Sequence, residues 1–285
     1  MRIARIQRAD GAVFAARIDG DLAVPVAAEA PRFMADAVRD LIADIAGGAA
    51  PSALTPVADP LPLPEVALLS PLAAPQKIVC IGLNYADHIR ETGLDTPERV
   101  LSFVKTAHTL AGPYEDVVVP EGATAQLDWE AELAVVIGVA ARDVGAAEAM
   151  DHVFGYTVVN DVSARDAQFA DGQWFRGKNF DGFCPIGPWI TTPGEVADPH
   201  ALAISARVNG ATVQDSSTGE MIFKIPEIVS YLSRYMTLNP GDVVATGTPY
   251  GVGMGRTPQL WLGDGDVVEV EVEGLGTLRN TVRFA

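Results

Sequence analysis

Residues 127–138 read LDWEAELAVVIG. The second half is a continuous apolar run of the kind that fills a strand buried on both faces. The first half carries Asp128, Glu130 and Glu132, spaced two apart. Side chains on a strand alternate with period two, so this spacing predicts three carboxylates on one face. Like charges side by side on a strand entering a core need an explanation. Three readings are open: an edge strand with that face in water, a protonated glutamate, or a divalent cation between Glu130 and Glu132.

The last reading needs further oxygen ligands. Asp161 is the candidate, because it ends the next apolar run, GYTVVND, and adjacent strands lie about 4.8 Å apart. Three carboxylates without His or Cys suit a hard cation such as Mg²⁺ or Mn²⁺ better than zinc.

Beyond this segment, strand-like runs dominate the chain. LSFVKT, DVVVP, GPWITT, ALAISARVNG, DVVATGT, DVVEVEVEG and GTLRNTVRF are separated by Gly, Pro and Asp. Helices are fewer. RFMADAVRDLIADIA and PEIVSYLSRYMTL have helical periodicity. The second opens on Pro226, is closed by Asn239-Pro240-Gly241, and is expected to bury Ile228, Leu232, Tyr235 and Met236. DTPER predicts another short helix, with Thr96 as its cap. Strands and helices do not alternate regularly, so the fold class is β-rich α+β and not a doubly wound sheet or a TIM barrel. A Pro- and Ala-rich stretch starting at Gly47 reads as an extended linker or wrapping arm. The expected division is a small N-terminal domain with its linker over 1–70 and a catalytic domain over 71–285.

The 285 residues carry a formal net charge of −17, which opposes binding to nucleic acid or to an anionic membrane. No apolar run reaches the length of a membrane helix, the N-terminus lacks an apolar signal core, and Cys80 and Cys184 are too few for a disulfide framework. A soluble cytoplasmic protein with reduced thiols is expected.

Other candidates are smaller. His88 and Glu91, at i and i+3, can pair on one helical turn, and a carboxylate-bound imidazole can act as a general base; an ordinary surface pair is the alternative. Lys178, in RGKNFDGF, could neutralise a substrate carboxylate or stabilise an enolate oxygen, or could simply lie on the surface. Its P-loop-like setting, Gly172 to Lys178, lacks the Ser or Thr that follows the lysine in a phosphate loop. TGTPYGVGMG, 246–255, is followed by RTP and so opens no dinucleotide-binding helix. It reads as a loop whose backbone closely approaches something.

IGLNYADHIRE, DWEAELAVVIG, GYTVVNDVSARD, GKNFDGFCPIGP, MIFKIPEIVSYLS, TGTPYGVGMG and DGDVVEVEVEGLGTLRNTV follow one another in that order. Together they resemble the fumarylacetoacetate hydrolase family from about residue 76 to the C-terminus. The resemblance implies a mixed β-sandwich roll, usually a homodimer, with Mg²⁺ or Mn²⁺ held by Glu130, Glu132 and Asp161. It implies a water-activating dyad, His88 and Glu91, on a flexible lid, and substrate contacts from Lys178, Gln168 and Thr248. Lys178 would also be catalytic. Many members have Lys-Pro where this chain has Lys105-Thr106, in a segment expected to line the approach to the site.

The activity expected from the resemblance is metal-dependent hydrolysis of a C–C bond in a 2-oxo acid or acylpyruvate-like 1,3-dicarbonyl, diketo sugar acids included. Isomerisation of a hydroxymuconate-type diacid and decarboxylation of oxaloacetate are alternatives for the same constellation. A non-catalytic binding protein would be expected to have lost a ligand or the dyad, and this chain retains all of them.

Overall fold

The computed structural model describes residues 1–29, 36–48, 54–170 and 172–285. Its centre is the strand Ala131–Ile137, every residue of which is buried. It pairs antiparallel with Val153–Asn160 on one side and with Val243–Ala245 on the other. Leu133, Val135 and Ile137 face one core, and Ala134 and Val136 face another. Burial on both faces is why the run is apolar without alternation.

The large sheet continues outward from this strand. Past Val153–Asn160 come Cys184–Thr191, Arg2–Gln7, Val13–Asp19 and Leu22–Ala28. Past Val243–Ala245 come Ile78–Gly82, which is parallel to it, and the edge strand Leu101–Lys105. A second sheet runs Ala211–Ser217, Ala203–Val208, Val267–Val272, Gly276–Phe284 and Val117–Val119. Alternate residues Ile204, Ala206, Val268, Val270 and Leu278 bring it onto the Leu133 face of the large sheet. The result is a β-rich α+β fold of two packed, mixed sheets, as the strand-dominated pattern predicts.

On the opposite face, the helix Ala37–Ala46 packs Val38, Leu41 and Ile42 against Ala134, Val136 and Val243. It is capped by Asp36, whose carboxylate accepts from the backbone N–H of Arg39. The expected start of this helix, 32–35, lies outside the described residues, as does 49–53 of the linker. The remaining linker supplies two short strands, Leu61–Pro62 and Ala67–Leu69, that pair with the N-terminal hairpin.

The helix Ile225–Tyr235 forms where expected and buries Ile228 and Leu232, but Tyr235 is 65% exposed because the helix ends there. The helix expected at DTPER does not form. Residues 94–100 are extended or bent, since Val100 is already in the core and Leu101 starts a strand, leaving no room for a turn of helix.

The N-terminal strands are continuous with the large sheet through Arg2–Gln7, which pairs with Cys184–Thr191. Ile3 is fully buried in the core that also holds Ile186 and Ile190. Ile3→Ala should therefore cost about 2–5 kcal/mol, the usual range for a buried Ile-to-Ala change. Chemical denaturation should show that loss in one cooperative transition. Separate unfolding of the N-terminal segment, with the remainder unaffected, would contradict this coupling.

Candidate active site

The carboxylates come together where the central strand begins. Glu130 immediately precedes Ala131–Ile137, Glu132 lies inside it, and Asp161 immediately follows Val153–Asn160. The register pairs Ala131 with Asn160, and the N–H of Asp161 donates to the carbonyl of Glu130 at 3.0 Å. One carboxylate oxygen from each of Glu130, Glu132 and Asp161 lies within 4.8 Å of the others. Glu130 is 7% exposed, Glu132 1% and Asp161 0%. The solvated edge-strand reading is thereby excluded.

Asp128 does not continue this face. It belongs to a separate short pairing, Leu127–Asp128 with Ser163–Ala164, and the strand is interrupted at Trp129–Glu130. Its carboxylate instead accepts from the N–H groups of Gly253 and Met254, at 2.6 and 3.1 Å, and from Arg165 Nε at 2.9 Å.

Three buried cations answer the carboxylates. Lys178 Nζ donates to Glu130 Oε2 at 2.6 Å and to Asp161 Oδ2 at 3.0 Å. Lys105 Nζ donates to Asp161 Oδ1 at 2.5 Å and to the carbonyl of Val162 at 3.2 Å. An Arg165 nitrogen lies 2.7 Å from Glu130. Lys105 ends an edge strand but is only 1% exposed. Its side chain is therefore buried within the acidic cluster, while Phe103 of the same segment lines the pocket beside Glu130 and Glu132, as the sequence leads one to expect of that segment. Lys178 is equally buried, so it is not a surface lysine.

The charges do not cancel. Asp128, Glu130, Glu132 and Asp161 are four carboxylates against three cations. Burial raises the Glu130 carboxyl, but the charges of Lys178 and Arg165 outweigh it and hold the group down at about 2. At Glu132 the balance is reversed, and the charge of Lys178 does not offset what raises the carboxyl. Burial, with Asp161 and Glu130 beside it, pushes its carboxyl well above the ordinary value. Its Oε2 accepts one backbone N–H, from Gly247 at 2.9 Å. The surplus negative charge thus falls on Glu132, within the oxygen cluster. A proton or a cation must supply the balance there, and three converging hard oxygen donors fit a divalent ion.

A pocket adjoins this cluster. Its lining includes His88, Glu130, Glu132, Gln168, Lys178 and Thr248. Asp161 is buried beneath it. Glu91 stands behind His88, with Oε2 3.2 Å from Nδ1. Both lie on the helix Ala86–Thr92, which ends at Gly93 in the left-handed conformation, φ 68°. Gln168 accepts from Arg165 Nη1 at 3.0 Å, and Thr248 Oγ1 accepts from Gln214 Nε2 at 2.9 Å. The structure therefore gathers all eight residues named from the sequence.

Sequence reasoning missed Lys105, Arg165, Asp128 as a partner of Arg165, and Gln214. Arg165 sits in the SARD segment, directly after the strand end that supplies Asp161, and that adjacency was its available signal. Gln214 comes from the second sheet, where its Oε1 accepts the N–H of Ala131. Nothing local marks it.

The family model described as Fumarylacetoacetate (FAA) hydrolase C-terminal matches residues 77–283. The chain belongs to the fumarylacetoacetate hydrolase family. It is 47% identical over 224 residues to a mitochondrial oxaloacetate tautomerase of Bos taurus, covering 78% of this chain and 71% of that one. It is 49% identical over 208 residues to a 2,4-didehydro-3-deoxy-L-rhamnonate hydrolase of a Sphingomonas species, covering 72% and 73%. Among solved structures, a fumarylacetoacetate hydrolase from Exiguobacterium antarcticum aligns over the whole of both chains, with a TM-score of 0.86 and 38% identity. These relatives are enzymes of differing activity, tautomerase and hydrolase. No helix among the described residues is long and apolar enough to cross a membrane.

The surplus charge yields a signed prediction for the metal-free protein. A carboxyl raised in the folded state stabilises the fold at low pH, and that contribution is lost as pH rises from the ordinary carboxylate value through the raised one. Glu132→Gln removes the titration while leaving an oxygen for the Gly247 N–H. In EDTA, the variant should show a flatter decline of Tm above about pH 4.5 than the wild-type chain. Calorimetric titration with Mn²⁺ should show binding to the wild-type chain and none to the variant. Equal Mn²⁺ affinity in both would remove Glu132 from the ligand set.

Proposed function

We propose that this chain is a divalent-metal-dependent hydrolase that cleaves a C–C bond in a 2-oxo acid of the acylpyruvate or diketo sugar acid type. The observation that carries this reading is the placement of His88, backed by Glu91, on the same pocket as Glu130 and Glu132. Glu130, Glu132 and Asp161 would hold Mg²⁺ or Mn²⁺. When bound, the ion would supply Lewis-acid polarisation of the substrate's 2-oxo oxygen.

The chain's own groups account for the remaining requirements. Gln168 and Thr248 present amide and hydroxyl groups to the substrate, and the Lys178 ammonium, already aimed between Glu130 and Asp161, stabilises negative charge on an enolate oxygen. With Nδ1 facing Glu91, His88 has Nε2 to take a proton from water. The hydroxide adds to the distal keto carbon. The bond from that carbon to the intervening methylene breaks, its electron pair passes to the methylene carbon, and the imidazolium returns a proton there. A carboxylic acid and a shorter 2-oxo acid result, balancing one water consumed.

The inner cavity is about 60 Å³, room for an ion with a few waters or for the head of a small acid. Thr92, Leu94, Phe169 and Met254 are shared with an outer cleft of about 640 Å³, which would take the rest of the substrate.

A second reading has its own support. The relatives named as oxaloacetate tautomerases are nearly half identical to this chain, and tautomerisation requires only that a base move a proton between carbon and oxygen. A substrate panel with Mg²⁺, Mn²⁺ or EDTA separates the two. It comprises acylpyruvates, diketo sugar acids, oxaloacetate and hydroxymuconate diacids. Proton NMR should show two acid products from a diketo acid, with turnover abolished by EDTA. Loss of the enol absorbance of oxaloacetate with no cleavage of any diketo acid would replace the first reading by the second. In either case His88→Ala should lower kcat by about 10²–10⁴-fold, the usual contribution of a general base. Mn²⁺ affinity should stay unchanged by calorimetry. A homodimer, checked by sedimentation, forms part of the proposal.

A further inference from the structure

The carboxylate of Glu91 is held from outside its own helix. Oε2 faces His88, while Oε1 accepts the N–H of Gly251 at 2.9 Å. The carboxylate also lies against Gly255. A Cβ at 255 would stand 2.6 Å from Glu91 Oε2 and 2.7 Å from Oε1, inside any real contact distance.

The two glycines serve different needs. Gly251 has φ 98°, and a side chain there would run into the carbonyl of Val213, so its backbone requires glycine. Gly255 has no positive φ, and the three atoms nearest to a Cβ there all belong to the Glu91 carboxylate. Its missing side chain leaves room for that carboxylate. The loop between them does not yield easily, because the N–H groups of Gly253 and Met254 are fixed on Asp128, itself bound to Arg165. The end of the Glu91 side chain is the part that can move.

We propose that Gly251 and Gly255 form a seat for Glu91, and that Gly255 is a positioning residue that orients His88 through Glu91. The proposal's catalytic consequence rests on the reading of His88–Glu91 as the base. The seat also joins two elements: the helix Ala86–Thr92 completes the dyad only when it is docked on the 251–255 loop. A substitution at 255 that needs no backbone change displaces the carboxylate and leaves the buried oxygen cluster in place.

The experiment uses the full chain, labelled with ¹⁵N-histidine, as wild type, Gly255→Ala and Gly255→Ala/Glu91→Asp. In Gly255→Ala the His88 ring nitrogens should shift while those of His108, His152 and His200 do not. Its kcat should fall about 10–100-fold with KM within about threefold, the pattern of a lost transition-state contribution. Mn²⁺ affinity and Tm should match the wild type. The shorter carboxyl side chain in the double variant should recover part of the lost rate. Unmoved His88 resonances in Gly255→Ala would overturn the seat, as would a rate loss matched by lost Mn²⁺ affinity. Shifted resonances with an unchanged kcat would keep the seat and remove the base assignment. If Gly255→Ala fails to fold, the double variant decides: recovery of the fold by the shorter carboxyl side chain supports the seat, and an unfolded double variant overturns it.

Discussion

The site depends on an imbalance of buried charge. Four carboxylates and three cations share a dry volume, and each cation is already committed to Glu130, Asp161 or Asp128. Isolated ions in such a place would cost several kcal/mol each. The arrangement is tolerable because the pairs are short and the remaining charge falls on one residue, Glu132. A protein built only for stability would have placed apolar side chains here. Keeping four acids and three cations in the interior marks a place where stability was exchanged for chemistry.

The sheet makes this concentration of charge possible. Ala131–Ile137 is buried on both faces, so its start cannot drift without exposing two cores at once. Antiparallel pairing with Val153–Asn160 then fixes Asp161 beside Glu130. Lys105 arrives from the edge strand, Lys178 from a short helix, and Gln214 from the other sheet. The clustered acids stand at the ends of, or within, strands buried in the large sheet, whereas His88 and Glu91 stand on a seven-residue helix. The division suits an enzyme that must keep its charges fixed and admit a substrate.

Much of this was legible in the sequence because it follows from short-range periodicity. Glu130 and Glu132 are two apart where the central strand begins, and Asp161 ends the next apolar run, so one strand spacing brings them together. His88 and Glu91 are three apart on a helix. Lys105 and Gln214 were not legible, because their contacts depend on sheet order and on which faces meet, neither of which local pattern encodes. Asp128, one pleat before the glutamates, stays outside the oxygen cluster as its position implies, but it does not share their face. Period two places it with the glutamates, but the strand breaks at Trp129, and it serves Arg165 and the glycine loop instead. Tyr235 and the helix expected at DTPER failed where tertiary context ended or replaced a local preference.

The glycine-rich segment, first read as a backbone approaching something, gives its amides to three different acids: Gly247 to Glu132, Gly251 to Glu91, and Gly253 with Met254 to Asp128. None of these N–H groups is bonded into a sheet or helix ladder. Their exchange with deuterated solvent therefore requires each amide to part from the acid it serves, and not the opening of a sheet or helix ladder. A few residues of one loop would thus report separately on the oxygen cluster, the dyad and the arginine node. The loop carries its own record of which part of the site is open at a given moment.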